Sequence, residues 1–194
     1  MTTRTRSSSG GRARRNSPRG KYSPMEIIHT KLPGVLLIRP PTVFEDFRGS
    51  YVEIYNEELY NSAGINVKFI QDDVSMSSRH VLRGIHGDMC TYKLISCLEG
   101  RFYMIVVNND PDSPQYRQWE SFTLSEKNNR QVLVPPKHGI GHLILSERAI
   151  FHYKQSSNYD RRSQFTILWN DPKYKIWWPV EKPSLSQRDS GNDA

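Results

Sequence analysis

The sequence predicts an all-β domain, a β-sandwich or jelly roll with few short helices. Three observations carry that expectation: about ten short clusters of alternating, β-branched or aromatic residues, turn residues between them, and one helical pattern. Strands are expected at 35–39, 50–55, 67–71, 93–98, 101–107, 119–124, 131–134, 142–146, 150–154 and 165–169. Leu98-Glu99-Gly100 reads as a tight turn, and Asn108-Asn109-Asp110-Pro111-Asp112-Ser113-Pro114 as a longer one. The helical pattern covers 57–63, with Asn56 as N-cap and Gly64 as the stop.

The chain of 194 residues has room for one domain and a tail. Hydrophobic residues make up 36%, enough for a core, but the longest apolar runs are a handful of residues. A membrane helix needs about 20, so a spanning protein is not expected. The net charge of +7 is local. Arg4, Arg6, Arg12, Arg14, Arg15, Arg19 and Lys21 lie in residues 1–24 without an acidic residue, and the remaining 20 cations balance 20 anions. A Ser-, Gly-, Arg- and Pro-rich stretch of that kind cannot bury enough apolar area to order itself. Residues 1–24 are therefore read as a disordered, solubilising or processed extension rather than a nucleic-acid contact, and 25–194 as the domain. Cys90 and Cys97 form no CxxC, and no apolar stretch follows the basic start. A reducing, cytoplasmic setting is expected.

Polar residues on strands that should be apolar inside mark a ligand site. Arg83, His86 and Lys93 fall in one strand-turn-strand over 81–97. His142 and Tyr153 fall on neighbouring strands expected to pair as a hairpin through Ser146-Glu147-Arg148, and Asp171 closes the strand ending at Trp169. Singly, each has an ordinary structural explanation: a satisfied core histidine, a solvent-facing lysine, a capped tyrosine, a turn aspartate before Pro172. Together, they are more ionisable groups than packing needs.

Their order and spacing resemble a known family. Phe44-Glu45-Asp46-Phe47-Arg48-Gly49-Ser50-Tyr51, Phe69-Ile70-Gln71-Asp72-Asp73-Val74-Ser75, Val81-Leu82-Arg83-Gly84-Ile85-His86, Lys93-Leu94, Leu124-Ser125, Tyr153-Lys154, Trp169-Asn170-Asp171-Pro172 and Trp178-Pro179 follow the run of the dTDP-4-dehydrorhamnose 3,5-epimerases over about residues 35–188. Leu185-Ser186 with Arg188-Asp189 looks like that family's ending. The resemblance implies a cupin-type jelly roll, usually a homodimer. It implies a metal-independent isomerase without cofactor that inverts C3, C5 or both in a nucleotide-linked 4-keto-6-deoxy sugar for surface-glycan synthesis.

Such chemistry needs a base on one face of the ring, an acid on the other and a cation near the ketone oxygen. Imidazole suits the base because its ordinary pKa, near 6.5, sits close to working pH. By resemblance, His86 is the base, Asp171 its orienting carboxylate, Lys93 the cation at O4 and Tyr153 the acid. Arg83 and Arg48 would bind the diphosphate, Arg48 acting across the dimer from an exchanged segment, while Glu53 and Gln71 would line the nucleotide side.

The chain departs from the family pattern at three places. Only six residues separate His86 from Lys93. Asp73 stands where an asparagine is usual in the base-binding stretch. Ile140 is aligned with the second histidine of the family's Gly-Phe-Ala-His-Gly-Phe stretch, leaving His142 two residues beyond as a substitute substrate-binding residue. These changes point to a divergent branch, acting on another nucleotide sugar such as a GDP- or CDP-linked one. Two other readings compete: a non-catalytic nucleotide-sugar-binding cupin, disfavoured by the histidine and aspartate pair, and a sugar 3,4-ketoisomerase, disfavoured by Lys93 and Tyr153. A cupin dioxygenase would need a His-x-His that is missing around His86.

Overall fold

The computed structural model describes residues 25–192. The extension expected over 1–24 lies outside the described residues. The described residues form thirteen strands and two short helical segments. A six-stranded antiparallel sheet comprises, in spatial order, β1 (Glu26–His29), β2 (Leu36–Arg39), β10 (Gln131–Val134), β7 (Lys93–Glu99), β12 (Arg148–Gln155) and β5 (Gln71–Ser78). A five-stranded sheet comprises β13 (Phe165–Thr166), β6 (Leu82–Gly87), β11 (His138–Ile144), β8 (Arg101–Asn108) and β9 (Trp119–Ser125). A separate hairpin pairs β3 (Val43–Asp46) with β4 (Gly49–Val52). Helix α1 (Glu57–Ser62) starts where expected, with the Asn56 side chain accepting from Leu59 N at 3.2 Å. Among the described residues, no helix is long and apolar enough to cross a membrane.

The two large sheets pack face to face, and each outer face is covered as well. Along β8, Phe102, Met104 and Val106 enter the core between the sheets, while Tyr103, Ile105 and Val107 pack outward under Ile167, Trp178 and the C-terminal segment. On the six-stranded sheet, Ile38, Leu94 and Leu133 face Tyr60 and Ile65 of α1 and its following loop. Covering both faces explains why β7 and β8 read as almost unbroken apolar runs. Each fully buried side chain of this kind contributes about 1.5–3 kcal/mol.

Several expected boundaries shift, for one reason. The strand expected at 67–71 is instead β5, beginning at Gln71; Val67 and Phe69 precede it as cover for the outer face. The inward side of β5 carries Gln71, Asp73, Ser75 and Ser77, while Val74 and Met76 face out at 61% and 55% exposure. Apolar alternation is thus reversed on a strand that lines a polar cavity. The strand expected at 142–146 begins at His138 and ends at Ile144. More importantly, β11 and β12 are not hairpin partners. Ser146 and Glu147 carry the chain from one sheet to the other, so His142 and Tyr153 face each other across the sandwich.

Candidate active site

The cavity lies between the sheets, at the end where the polar strand positions cluster. It holds about 290 Å³ and is lined by Arg83 and His86 of β6, Lys93 of β7, Ile140 and His142 of β11, and Phe151 and Tyr153 of β12. Ser75 and residues of the loops after β12 and β13 close it.

A bulge on β6 aims two of these side chains. In the pairing with β11, Ile140 meets His86 and His142 meets Arg83, so three steps on β6 oppose two on β11. Without that extra residue, Arg83 and His86 would point to opposite faces. The bulge centres on Gly84, with φ +111°, where a Cβ would lie 2.4 Å from the Ile140 carbonyl oxygen. Only glycine fits there. The outward positions, Leu82 and Ile85, join the apolar cluster behind the sheet.

His86 Nε2 lies 2.8 Å from Asp189 Oδ1, at ion-pair distance though out of line for a full hydrogen bond. Asp189, not Asp171, is therefore the carboxylate partner. It arrives on a C-terminal segment pinned by a parallel bridge between Val81 and Ser184, with Leu82 N donating to Ser184 O at 2.9 Å and Ser184 N to His80 O at 2.8 Å. Burial works to raise the Asp189 carboxyl, but His86, the Ser186 hydroxyl and the Gly84 backbone outweigh it and hold it below the usual carboxylate range. Asp171 caps a turn instead. Its Oδ1 accepts from Lys173 N at 2.9 Å, in a separate surface depression beside Trp169 and Trp177. The expectation failed because the strand thought to run to Trp169 stops at Thr166, and the chain leaves the cavity before reaching Asp171.

Lys93 is 9% exposed; burial pulls its ammonium down, opposed by Asp88 and Asp73. Its Nζ sits 5.8 Å from the centre of the Tyr153 ring. Burial, then the nearby Asp73, pushes the Tyr153 phenol up to about 12. His142 stacks on Phe151 with centroids 3.9 Å apart and planes 8° from parallel. Its burial, next to Arg83, pulls the imidazole down to about 3, so it is neutral, and its Nε2 has no hydrogen-bond partner among the described residues. Both His142 and Ile140 line the cavity.

The other expected binding residues are not on the cavity wall. Arg48 pairs with Asp46 at 2.6 Å on the β3–β4 hairpin, with 77% of its side chain exposed. Glu53 Oε1 accepts from the Thr42 hydroxyl at 3.4 Å. Gln71 Nε2 donates to Asp73, and Gln71 Oε1 accepts from Tyr159 N at 2.8 Å. Arg83, by contrast, lines the cavity, and its Nε donates to Ser77 Oγ at 3.0 Å. Sequence reasoning missed Asp189, Arg188, Gln164 and Tyr159. For Asp189, the signal was the Leu185-Ser186-Gln187-Arg188-Asp189 ending; the others lie in irregular segments with no spacing to single them out. Among the described residues, no three His, Cys, Asp or Glu side chains gather in a metal-binding group.

A sequence model of the dTDP-4-dehydrorhamnose 3,5-epimerase family matches residues 29–194. The chain belongs to that family. It is 38% identical over 171 residues to the dTDP-4-dehydrorhamnose 3,5-epimerase of Salmonella typhimurium, covering 86% of this chain and 93% of that one. The dTDP-6-deoxy-D-glucose-3,5-epimerase of Legionella pneumophila, solved with dTDP-4-keto-L-rhamnose, superposes with a TM-score of 0.81 at 34% identity, over 86% of this chain and 90% of that chain. A 3'-monoepimerase of Streptomyces bikiniensis, solved with dTDP-quinovose, superposes with a TM-score of 0.78 at 27% identity, over 84% of each chain. As an epimerase-family member, the chain has the cupin-type jelly roll expected of it.

Proposed function

We propose that this epimerase-family protein inverts C3, alone or with C5, of a nucleotide-linked 4-keto-6-deoxy sugar by acid–base chemistry that uses no metal. The observation that carries the proposal is one cavity bringing together the His86–Asp189 pair, the Lys93 ammonium and the Tyr153 phenol from four separate segments.

A C4 ketone acidifies the hydrogens at C3 and C5. With Nε2 turned to Asp189, His86 takes the proton on its other ring nitrogen, and the carboxylate holds the tautomer and stabilises the imidazolium. Charge developing on O4 is met by Lys93, in a buried site where one cation counts for more than in water. Tyr153, held protonated by its surroundings, gives a proton to the opposite face of the ring. The phenolate and imidazolium then return to their starting forms by exchange with solvent. Arg83 and Arg188, cationic at the cavity wall, suit a diphosphate.

The β3–β4 hairpin supports a homodimer. It stands apart from both sheets with Phe47 98% and Tyr51 63% exposed and Arg48 between them, as expected of a segment seated on a second copy whose cavity Arg48 would enter. Two free thiols, Cys90 and Cys97, suit the reducing cytoplasm.

The test is NMR of a 4-keto-6-deoxy nucleotide sugar in D₂O, following C3 and C5. Deuterium uptake with inversion at one or both carbons is the expected result, and neither exchange nor inversion with dTDP-, GDP- or CDP-linked substrates would refute the proposal. Chelation is expected to leave turnover unchanged, because Lys93 supplies the positive charge at O4; a loss restored by zinc, iron or manganese would overturn that part.

A further inference from the structure

Asp73 sits beside the cavity without lining it. On β5 it is directly opposite Tyr153 of β12, and the next inward pair, Gln71 with Gln155, continues across to Lys93 of β7. Directly paired side chains on one sheet face lie about 4.5–5.5 Å apart at Cβ. The Asp73 carboxylate accepts from two amides, Gln71 Nε2 at 2.8 Å and Gln155 Nε2 at 2.6 Å, and Gln155 is 1% exposed. An acceptor-only group whose oxygens are already turned to two fixed donors is poorly available to a ligand. It is well placed to act as a fixed negative charge.

We propose that Asp73 is a positioning residue that keeps the Lys93 ammonium and the Tyr153 phenol in their proton-bearing forms, rather than a reader of the nucleotide base. The inference rests on the acid–base reading of the cavity.

The groups facing Lys93 and Tyr153 come from every packed element. Asp73 comes from β5, Arg83 and His86 from β6, Asp88 from the loop after it, His142 from β11, Tyr159 from the loop after β12, and Arg188 and Asp189 from the C-terminal segment. Asp189 is engaged by His86, and His142 is neutral. Arg188 works against the charge on Lys93, Asp88 supports it, and Tyr159 raises Tyr153. Asp73 is the anion that acts on both in the same sense. Removing its charge therefore lowers the pH at which either proton is lost.

The test compares the parent with Asp73→Asn, with Asp73→Ser as a second charge-removing variant and Asp73→Glu as the conservative one. Competitive acetylation of native protein by acetic anhydride between pH 6 and 11, with the Lys93 peptide quantified by mass spectrometry, reads the lysine without substrate. The Lys93 midpoint is expected to fall by on the order of one pH unit in Asp73→Asn and Asp73→Ser, and to stay near the parent's in Asp73→Glu. With a 4-keto nucleotide sugar, the basic limb of kcat moves down by a similar amount while KM stays within about twofold. An unmoved Lys93 midpoint overturns the proposal, and so does a KM rise of tenfold or more. If no 4-keto sugar is turned over at all, the functional reading fails, while the lysine titration still decides the role of Asp73.

Discussion

A histidine 2.8 Å from a buried carboxylate is a different reagent from a histidine alone. Asp189 is 3% exposed and held ionised, so it can stabilise an imidazolium without taking its proton. Replacing His86 with Ala is expected to lower kcat about 10²–10⁴-fold, the usual contribution of a positioned acid or base. Asp189→Asn should cost less than that but well over tenfold, whereas Asp171→Asn, on its turn away from the cavity, should stay within about twofold. Steady-state kinetics on the three variants checks the ranking, and a severe defect in Asp171→Asn with a mild one in Asp189→Asn would reverse the assignment. At the same scale, Tyr153→Phe removes the proton donor of the far face but leaves the base. Deuterium should still enter next to the ketone while little inverted sugar forms, and normal inversion by this variant would remove the tyrosine from the mechanism.

Among the elements, the β6 bulge and the β3–β4 hairpin carry the most function for their length. Gly84→Ala puts a Cβ 2.4 Å from a backbone oxygen at a positive φ, so the strand must shift. Because the bulge sets the direction of both Arg83 and His86, the expected result is a melting temperature lowered by several degrees and a loss of turnover of about 10²-fold or more. Parental kinetics from Gly84→Ala would show that the bulge does not aim these residues. The hairpin makes a prediction of another kind. If Arg48 serves the neighbouring copy's cavity, mixed dimers of Arg48→Ala and His86→Ala contain one site with both residues intact and should recover activity that neither parent has. Hybrids as inactive as their parents would confine Arg48 to its own chain.

Across the whole molecule, the buried polar groups couple stability to pH. His142 is neutral when folded, with its proton affinity pulled down to about 3, but unfolded it takes a proton near pH 6.5. The folded-state value is depressed, so its contribution is complete above about pH 6.5 and is lost as pH falls toward 3, by up to about 1.4 kcal/mol per pH unit. Asp189 acts in the same direction at lower pH, its contribution present above the ordinary carboxylate pKa and lost below it. Urea unfolding at pH 7 and pH 5 should therefore show a clear loss in the parent and a smaller one in His142→Gln. Equal losses in both would mean that His142 does not set the acid limit.

The sequence alone determined the all-β class, the helix with its Asn56 cap, the central strands β7, β8 and β10 almost to the residue, and the presence of His86, Lys93, Tyr153, His142 and Arg83 in one site. These follow from periodicity, turn chemistry and buried-type strands that carry unexpected charge, all of them local signals. Tertiary structure decided the rest. The partner of His86 comes from a residue 103 positions later, through a bridge between Val81 and Ser184 that no periodicity encodes. β5 escaped notice because a strand facing a polar cavity reverses the usual alternation, and β11 and β12 looked like a hairpin because a short connection between two sheets reads the same as one within a sheet. Distances between segments far apart in the chain are set by how the two sheets pack, and that packing is a property of the whole set of contacts, not of any stretch of sequence.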